Sequence, residues 1–197
     1  MGNPAQEAVD TDLARFIAHL PRGDVWVFGY GSLMWAPDFS YAERRAAQLF
    51  GYHRSLCIFS HRHRGTPECP GLVMGLCPGG SCWGVAFRIA ASNVKPTLRQ
   101  LWHREMVNRV YEPRWVTVRI GSRAVSALAF VADKTHHQFA GRLSVARTAS
   151  LVAQGCGMRG QNIDYLANTV AHMDELGLPE GHLHEVLART RRLCKLA

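Results

Sequence analysis

Apolar positions along the chain change period several times, and each change marks an element. Leu13, Phe16, Ile17 and Leu20 share one face at helical spacing, so residues 11–20 are predicted as a helix. Asp10 or Thr11 is placed to cap it, and Pro21-Arg22-Gly23 to end it. Val25, Trp26, Val27 and Phe28 form a short continuous apolar run, the mark of a buried strand. Ala36 to Arg45, carrying Pro37, reads as a loop. Residues 46–60 hold two apolar runs split by Gly51, Leu49-Phe50 and Leu56 to Phe59, read as two strands. Leu72 to Cys77 reads as a further strand, turned by Pro78-Gly79-Gly80. Over 81–90, Trp83, Val85, Phe87 and Ile89 alternate with Gly84, Ala86 and Arg88, the pattern of a half-buried antiparallel strand.

Asn93 suits an N-cap and Pro96 the first turn, so a helix is expected from there to about Asn108. Trp115 to Ile120 and Ala124 to Val131 follow as strands joined around Gly121-Ser122. The remainder reads as helical. Ser144 caps a segment bearing Val145, Leu151 and Val152. Residues 162–176 carry Leu166, Val170 and Met173 and stop at Gly177, with Pro179 beyond. Residues 182–196 form a last basic amphipathic helix. Strands in succession, one helix among them and helices at the end make an α+β fold.

At 197 residues, 47% of them hydrophobic, the chain can bury one sizeable core. No apolar run is long enough to span a membrane. The start is polar and mildly acidic (Glu7, Asp10, Asp12) rather than basic and then apolar, which points to the cytoplasm. None of the six cysteines makes C-x-x-C, and reduced thiols are expected. The net charge of +8 is carried almost wholly by dispersed arginines. No RNA-binding signature or aromatic-basic ribbon accompanies them, so nucleic acid is not an expected partner, whereas an acidic small molecule is compatible.

Chemistry concentrates in two places. The strand at Val25 runs into Gly29-Tyr30-Gly31-Ser32-Leu33. Two glycines around a tyrosine let the backbone turn sharply and approach a ligand. The N–H groups of Gly31, Ser32 and Leu33 could then form an anion-binding nest, unless the stretch is simply a structural turn. Gly31 would need either a positive φ or open space. Neither G-K-[ST] nor G-x-G-x-x-G follows, so it is not a phosphate loop. The second place is Glu105, at helical spacing with Leu98, Leu101 and Trp102. A carboxylate on an apolar face is costly to ionise, which raises its pKa toward the range useful for proton transfer. Alternatively it sits at the edge of that face and pairs with Arg109 one turn on. His61 and His63 alternate like metal ligands, but no third ligand of suitable spacing is near, so no metal is expected. A loop offering Arg62, His63 and Arg64 to a carboxylate suits these residues better, and an ordinary surface loop stays open beside it.

F-G-Y-G-S-L-M-W at 28–35, H-R-G-T-P at 63–67, G-V-A-F-R at 84–88, R-E at 104–105 and N-x-x-Y-L-x-N-T at 162–169 stand in one order. With them the chain resembles the ChaC-like family of γ-glutamylcyclotransferases. The resemblance covers roughly residues 25 to 190, so residues 1–24 read as a helical extension and 25–197 as the domain. It implies a small mixed β-barrel with helices outside. It also implies cleavage of glutathione to 5-oxoproline and Cys-Gly with no cofactor. By the same resemblance Glu105 corresponds to the catalytic glutamate. Val27, Phe28, Gly29, Tyr30, Gly31, Ser32 and Leu33 correspond to the γ-glutamyl-binding loop, and Tyr111 resembles a tyrosine near the site. Met106, Val107, Asn108, Arg109 and Val110 stand where eukaryotic members have a lysine and glycines, so the chain is closer to the bacterial branch. Other γ-glutamyl compounds as substrates, and a non-catalytic γ-glutamyl binder, stay open beside that reading.

Overall fold

Closure of a barrel, rather than a half-exposed sheet, decides which strand residues are buried. The computed structural model describes residues 4–178 and 180–196. Helix α1 (Pro4–Ala18) precedes strand β1 (Val25–Gly29) and a short 3-10 turn, Ser32–Met34. Strands β2 (Glu43–Ser60) and β3 (Gly71–Ile89) lead to helix α2 (Val94–Glu105). Then come β4 (Tyr111–Ile120), β5 (Arg123–Ala132) and helix α3 (Val145–Gln154). A hairpin of β6 (Cys156–Gly157) and β7 (Gly160–Gln161) is followed by α4 (Asn162–Glu175) and α5 (Gly181–Leu196). Pro179, expected just past α4, lies outside the described residues.

The five long strands close in the order β1-β3-β2-β4-β5. All neighbours are antiparallel except β1 with β5. Phe28, Leu49, Ala86, Val118 and Ala127 belong to one core, which continues under α3, α4 and α5 through Leu151, Leu166 and Val186. The alternate residues Val25, Val27, Val85, Phe87 and Leu128 pack with Leu98, Leu101 and Trp102 of α2 and with Val9 and Leu13 of α1. Period-2 alternation therefore separates two buried faces here, not a buried and a wet one. That corrects the half-buried reading of 81–90: Gly84 and Ala86 are buried, while Trp83, at 38% exposure, is not.

The sequence reading split two strands that are continuous. β2 already begins at Glu43, in the expected loop, and runs 18 residues. β3 runs 19, through the expected turn at Pro78-Gly79-Gly80. Pro78 pairs with Tyr52 and Ser81 with Phe50, so the pairing slips across Gly51 and Gly79-Gly80 without reversing. These three glycines have φ of +82°, +97° and +74°, which makes them a bulge that bends the pair around the barrel. The true β2–β3 connection is the loop from His61, with its histidines and arginines. α2 stops at Glu105 rather than Asn108, and Asn93 caps it without a side-chain bond. Ser144 does cap α3, accepting from the Arg147 N–H at 3.3 Å. The β6–β7 hairpin interrupts what was read as a wholly helical tail.

A buried cation ties these parts to the turn after β1. The Arg54 side chain is fully enclosed. Its guanidinium donates to the Tyr30 carbonyl, to the Trp83 carbonyl at 2.5 Å and to Glu180, just before α5. Arg54→Met would take the charged donor from the Tyr30 and Trp83 carbonyls and leave Glu180 without its partner. The loss should be about 2–4 kcal/mol, a fall in Tm of roughly 5–15 °C. Thermal melts of both proteins check this, and an unchanged Tm would remove Arg54 as the tie.

Candidate active site

β1 carries the chain to the rim of the barrel, and its own side chains stay behind. Val27 and Phe28 are 0% exposed, one under α2 and one in the barrel core, and neither borders the two cavities that meet at Glu105. Gly29 also stays in the wall, where a Cβ would meet the Leu33 Cβ at 2.9 Å. These three of the expected binding residues set the position of the loop; Tyr30, Gly31, Ser32 and Leu33 border the open space. The Tyr30 hydroxyl donates to the Phe130 carbonyl at 2.6 Å, which fixes the loop to β5. Gly31 has φ −129°, so no left-handed backbone is involved. What it supplies is room: a Cβ there would lie 3.2 Å from the Tyr165 hydroxyl and 3.4 Å from the Met74 Cβ. Met34 N–H returns to the Gly31 carbonyl at 2.9 Å. Ser32 and Leu33 N–H precede that first bond of the turn, where helical turns leave donors without an internal acceptor.

Glu105 reaches the same point from the end of α2, its side chain 17% exposed. Arg104 holds it there. The Arg104 Nε lies 3.1 Å from Glu105 Oε1. Its Nη1 donates to the Ala36 carbonyl at 2.7 Å and to Asp38 at 2.9 Å. Its Nη2 donates to the Ser32 hydroxyl at 2.9 Å, so that hydroxyl already has a partner in the protein. Arg109, the alternative partner for Glu105, pairs with Asp12 of α1 at 2.6 Å instead.

The third wall is the edge of β3, and two side chains of α4 complete it. Asn162 Oδ1 accepts from the Leu72 N–H at 2.6 Å and its Nδ2 donates to the Leu72 carbonyl at 2.7 Å. Two strand residues on, the Met74 N–H donates to the Tyr165 hydroxyl at 3.1 Å. The Met74 carbonyl accepts from the Tyr111 hydroxyl at 2.8 Å. Sequence reasoning gave Asn162 and Tyr165 no role. The signal was present in N-x-x-Y: residues three apart share a helix face, and residues two apart share a strand face. The Tyr165 oxygen accepts from Met74, which leaves its own proton to donate.

A pocket of about 40 Å³ lies between these walls, bordered by Gly31, Ser32, Leu33, Glu105, Tyr111 and Tyr165 among others. It shares Ser32, Glu105, Tyr111 and Tyr165 with a larger cavity of about 320 Å³. The far wall of that cavity is the loop His61, Arg62, His63 and Arg64, together with Arg159. Burial pushes the Glu105 carboxyl above the ordinary carboxylate range, and the positive charges of Arg104 and Arg159 oppose this. Burial pushes the Tyr165 hydroxyl up to about 12, and that of Tyr111 upward as well. Both hydroxyls thus stay protonated at neutral pH. Among the described residues no three His, Cys, Asp or Glu side chains gather as metal ligands. The arrangement can take a proton at Glu105 and present hydroxyl and amide donors to a polar group within reach of it.

A model of the ChaC-like protein family matches residues 25–193. The "Glutathione-specific gamma-glutamylcyclotransferase" of Escherichia coli (strain K12) is 34% identical over 183 residues, covering 92% of this chain and 79% of its own. Its namesake from Schizosaccharomyces pombe is 30% identical over 193 residues, 87% of this chain and 95% of its own. "Glutathione-specific gamma-glutamylcyclotransferase 1" of Homo sapiens is 32% identical over 170 residues, 81% of this chain and 77% of its own. A crystal structure of a yeast γ-glutamyl cyclotransferase specific to glutathione superposes with TM-score 0.80 at 21% identity. That superposition covers 87% of this chain and 97% of the yeast chain, and it bears out the mixed barrel-and-helix fold.

The raised Glu105 pKa has a consequence for stability. The folded protein keeps a proton that the unfolded chain releases near its ordinary value of 4.5. The favourable contribution is complete below that value and is lost as pH rises through the folded one. Glu105→Gln cannot ionise, so its Tm should gain on the parent as pH rises from about the ordinary carboxylate value through the higher folded one. Melting curves across that range test the sign. A Tm difference independent of pH would mean that Glu105 is not desolvated in the fold.

Proposed function

The chain belongs to the ChaC-like family, and on that premise we propose that it is a glutathione-specific γ-glutamylcyclotransferase, a lyase releasing 5-oxoproline and Cys-Gly from glutathione. The observation that carries the reading is the half-buried Glu105 at the opening of a small pocket walled by the Gly31 turn and two tyrosine hydroxyls.

The reaction needs no nucleophile from the protein. The α-amine of the γ-glutamyl group attacks its own γ-carbonyl, and a five-membered ring closes. Holding that group folded in the small pocket supplies orientation, worth about 7–11 kcal/mol in favourable intramolecular reactions. The ammonium must first lose a proton, and Glu105 accepts it. When the tetrahedral carbon collapses, the C–N bond to cysteine breaks and Glu105 returns the proton to the departing amine; the ring nitrogen's second proton follows it, leaving a neutral lactam and an ammonium on Cys-Gly. Arg104 keeps the carboxylate aimed and stabilises its ionised form. Tyr165, with its proton uncommitted to Met74, donates to the developing oxyanion. The N–H groups of Ser32 and Leu33 hold the α-carboxylate, as an anion suits the start of a helical turn. Tyr111 acts more indirectly, by fixing the Met74 peptide. The six cysteines are all free thiols, which suits a reducing compartment, and the cytoplasm is the compartment this reading assigns.

Glu105→Gln should abolish 5-oxoproline formation while glutathione still binds, and retention of a tenth of parental turnover would remove Glu105 as the proton carrier. Product analysis by chromatography with glutathione and with γ-glutamyl-alanine decides between the glutathione-specific reading and a broader one. Tyr165→Phe should lower kcat by roughly 10- to 1000-fold with KM little changed, as expected for a donor used in the transition state. The acidic limb of the kcat/KM profile should lie above the ordinary carboxylate range, because activity requires ionised Glu105. Arg104→Gln, by removing a charge that favours ionisation, should move that limb to higher pH.

A further inference from the structure

The hairpin β6–β7 sits on the loop that forms the far wall of the larger cavity. The Met158 N–H donates to the Arg62 carbonyl and the Arg159 N–H to the His63 carbonyl, both at 2.9 Å. Arg64 Nη1 donates to the Gln161 carbonyl at 3.0 Å. The backbones come so close that a Cβ on Gly157 would lie 2.6 Å from the Arg62 carbonyl oxygen, which explains a glycine at that position. The tip of the hairpin is thereby fixed, and it sets Arg159 at the cavity rim.

The charges around the cavity do not balance. Its walls carry Arg62, Arg64, Arg104 and Arg159 against the single carboxylate Glu105. Arg104 is matched by Glu105 and Asp38. Arg64 is occupied by Gln161 and lies over the Tyr165 ring, 5.6 Å from its centroid. Arg62 Nε is turned to Met158 Sδ at 3.4 Å, and neither Arg62 nor Arg159 has a carboxylate within ion-pair distance among the described residues; of the two, Arg159 is the one whose charge reaches Glu105. It is close enough to the reacting end for its charge to act on both Glu105 and His63.

Glutathione brings three charges. In the proposed binding mode its α-ammonium faces Glu105 and its α-carboxylate the turn at Ser32. With the γ-glutamyl group in the small pocket, the leaving dipeptide must lie in the larger cavity. The glycyl carboxylate then ends about two residues, roughly 7 Å, beyond the scissile bond, toward the hairpin. A planar guanidinium is the side chain that binds such a carboxylate through two parallel hydrogen bonds. We propose that Arg159 is a specificity-determining residue that binds the free C-terminal carboxylate of the substrate and so favours glutathione over γ-glutamyl compounds lacking it. This rests on the cyclotransferase reading above.

The test measures kcat/KM for the parent, Arg159→Gln and Arg159→Lys on two substrates, glutathione and its C-terminal amide. The parent should prefer glutathione by about tenfold or more, a single charge-assisted contact. Measured above the acidic limb of the profile, where Glu105 is ionised in every variant, Arg159→Gln should lose that preference by a rise in KM for glutathione, with its kcat/KM on the amide within about twofold of the parent. Arg159→Lys should keep part of the preference. Arg159 is exposed, so the variants should melt with the parent, and a melting curve verifies it. Equal loss on both substrates, or no loss on either, overturns the assignment of Arg159. Failure of the parent to release 5-oxoproline from either substrate overturns the cyclotransferase reading itself, and the assignment with it.

Discussion

A single enclosed guanidinium decides where the reactive turn can be. Arg54 projects from β2 with no access to water, and its donors are shared among the Tyr30 carbonyl, β3 and the residue before α5. Those three segments are distant in sequence, and the β1–β3 ladder stops at the Gly29–Val85 pair, just short of Tyr30 and Trp83. An enclosed cation without partners would cost several kcal/mol, so the fold closes only when all three acceptors arrive. The turn at Tyr30 is therefore held from behind by a charge-assisted bond and from the side by the Tyr30 hydroxyl on Phe130. A loop anchored at both its carbonyl and its side chain can present its N–H groups without reorganising, and that is what oriented binding requires.

The opposite wall is built by a different device. β1 pairs with β3 only over Val85 to Ile89, so the stretch Leu72 to Met74 has no β1 neighbour on that side. Bare strand edges must find donors and acceptors elsewhere. Asn162 and Tyr165 provide them, standing in for a strand from the first turn of a helix. The substitution leaves a hydroxyl proton at Tyr165 facing the cavity, which a true strand partner would not. Structural satisfaction of the sheet edge and the polarity of the pocket thus come from the same atoms.

How much could be read from residues alone follows from which interactions are local. The β1 run, the glycine turn, the Ser144 cap and the two final helices announce themselves in a few consecutive residues. The helical spacing of Glu105 with Leu98, Leu101 and Trp102 correctly placed its carboxylate near the apolar side. What stayed hidden depends on distant partners. Gly79-Gly80 carries the composition of a turn, yet its positive φ angles serve a bulge because β2 continues opposite. Phe28 and Val27 look like part of a binding loop by adjacency, but strand alternation buries one on each side of the barrel wall. The hairpin at Cys156 has only two residues per strand, and it exists because the loop at Arg62 offers carbonyls to it. No periodicity could have revealed that pairing.

The site is a compromise between two opposing electrostatic demands. A base that strips an ammonium must be ionised when the substrate arrives, yet must hold the proton firmly enough to return it to the leaving amine. Burial alone would keep Glu105 protonated, and full pairing with arginine would make it too weak a base. Here the carboxyl is half-buried, with one adjacent guanidinium that is itself divided among Asp38, Ser32 and the Ala36 carbonyl. Dividing Arg104 among four acceptors leaves Glu105 only part of its charge, so desolvation keeps the upper hand. The remaining positive charge lies farther out, at the loop and hairpin that line the larger cavity. Placed there it can attract an anionic substrate over a distance comparable to the Debye length, and from the rim Arg159 adds to Arg104 in favouring the ionised base. Arg104 tunes the base from contact distance and Arg159 helps from the rim, while the same outer charge draws the anion in, so one small barrel does both.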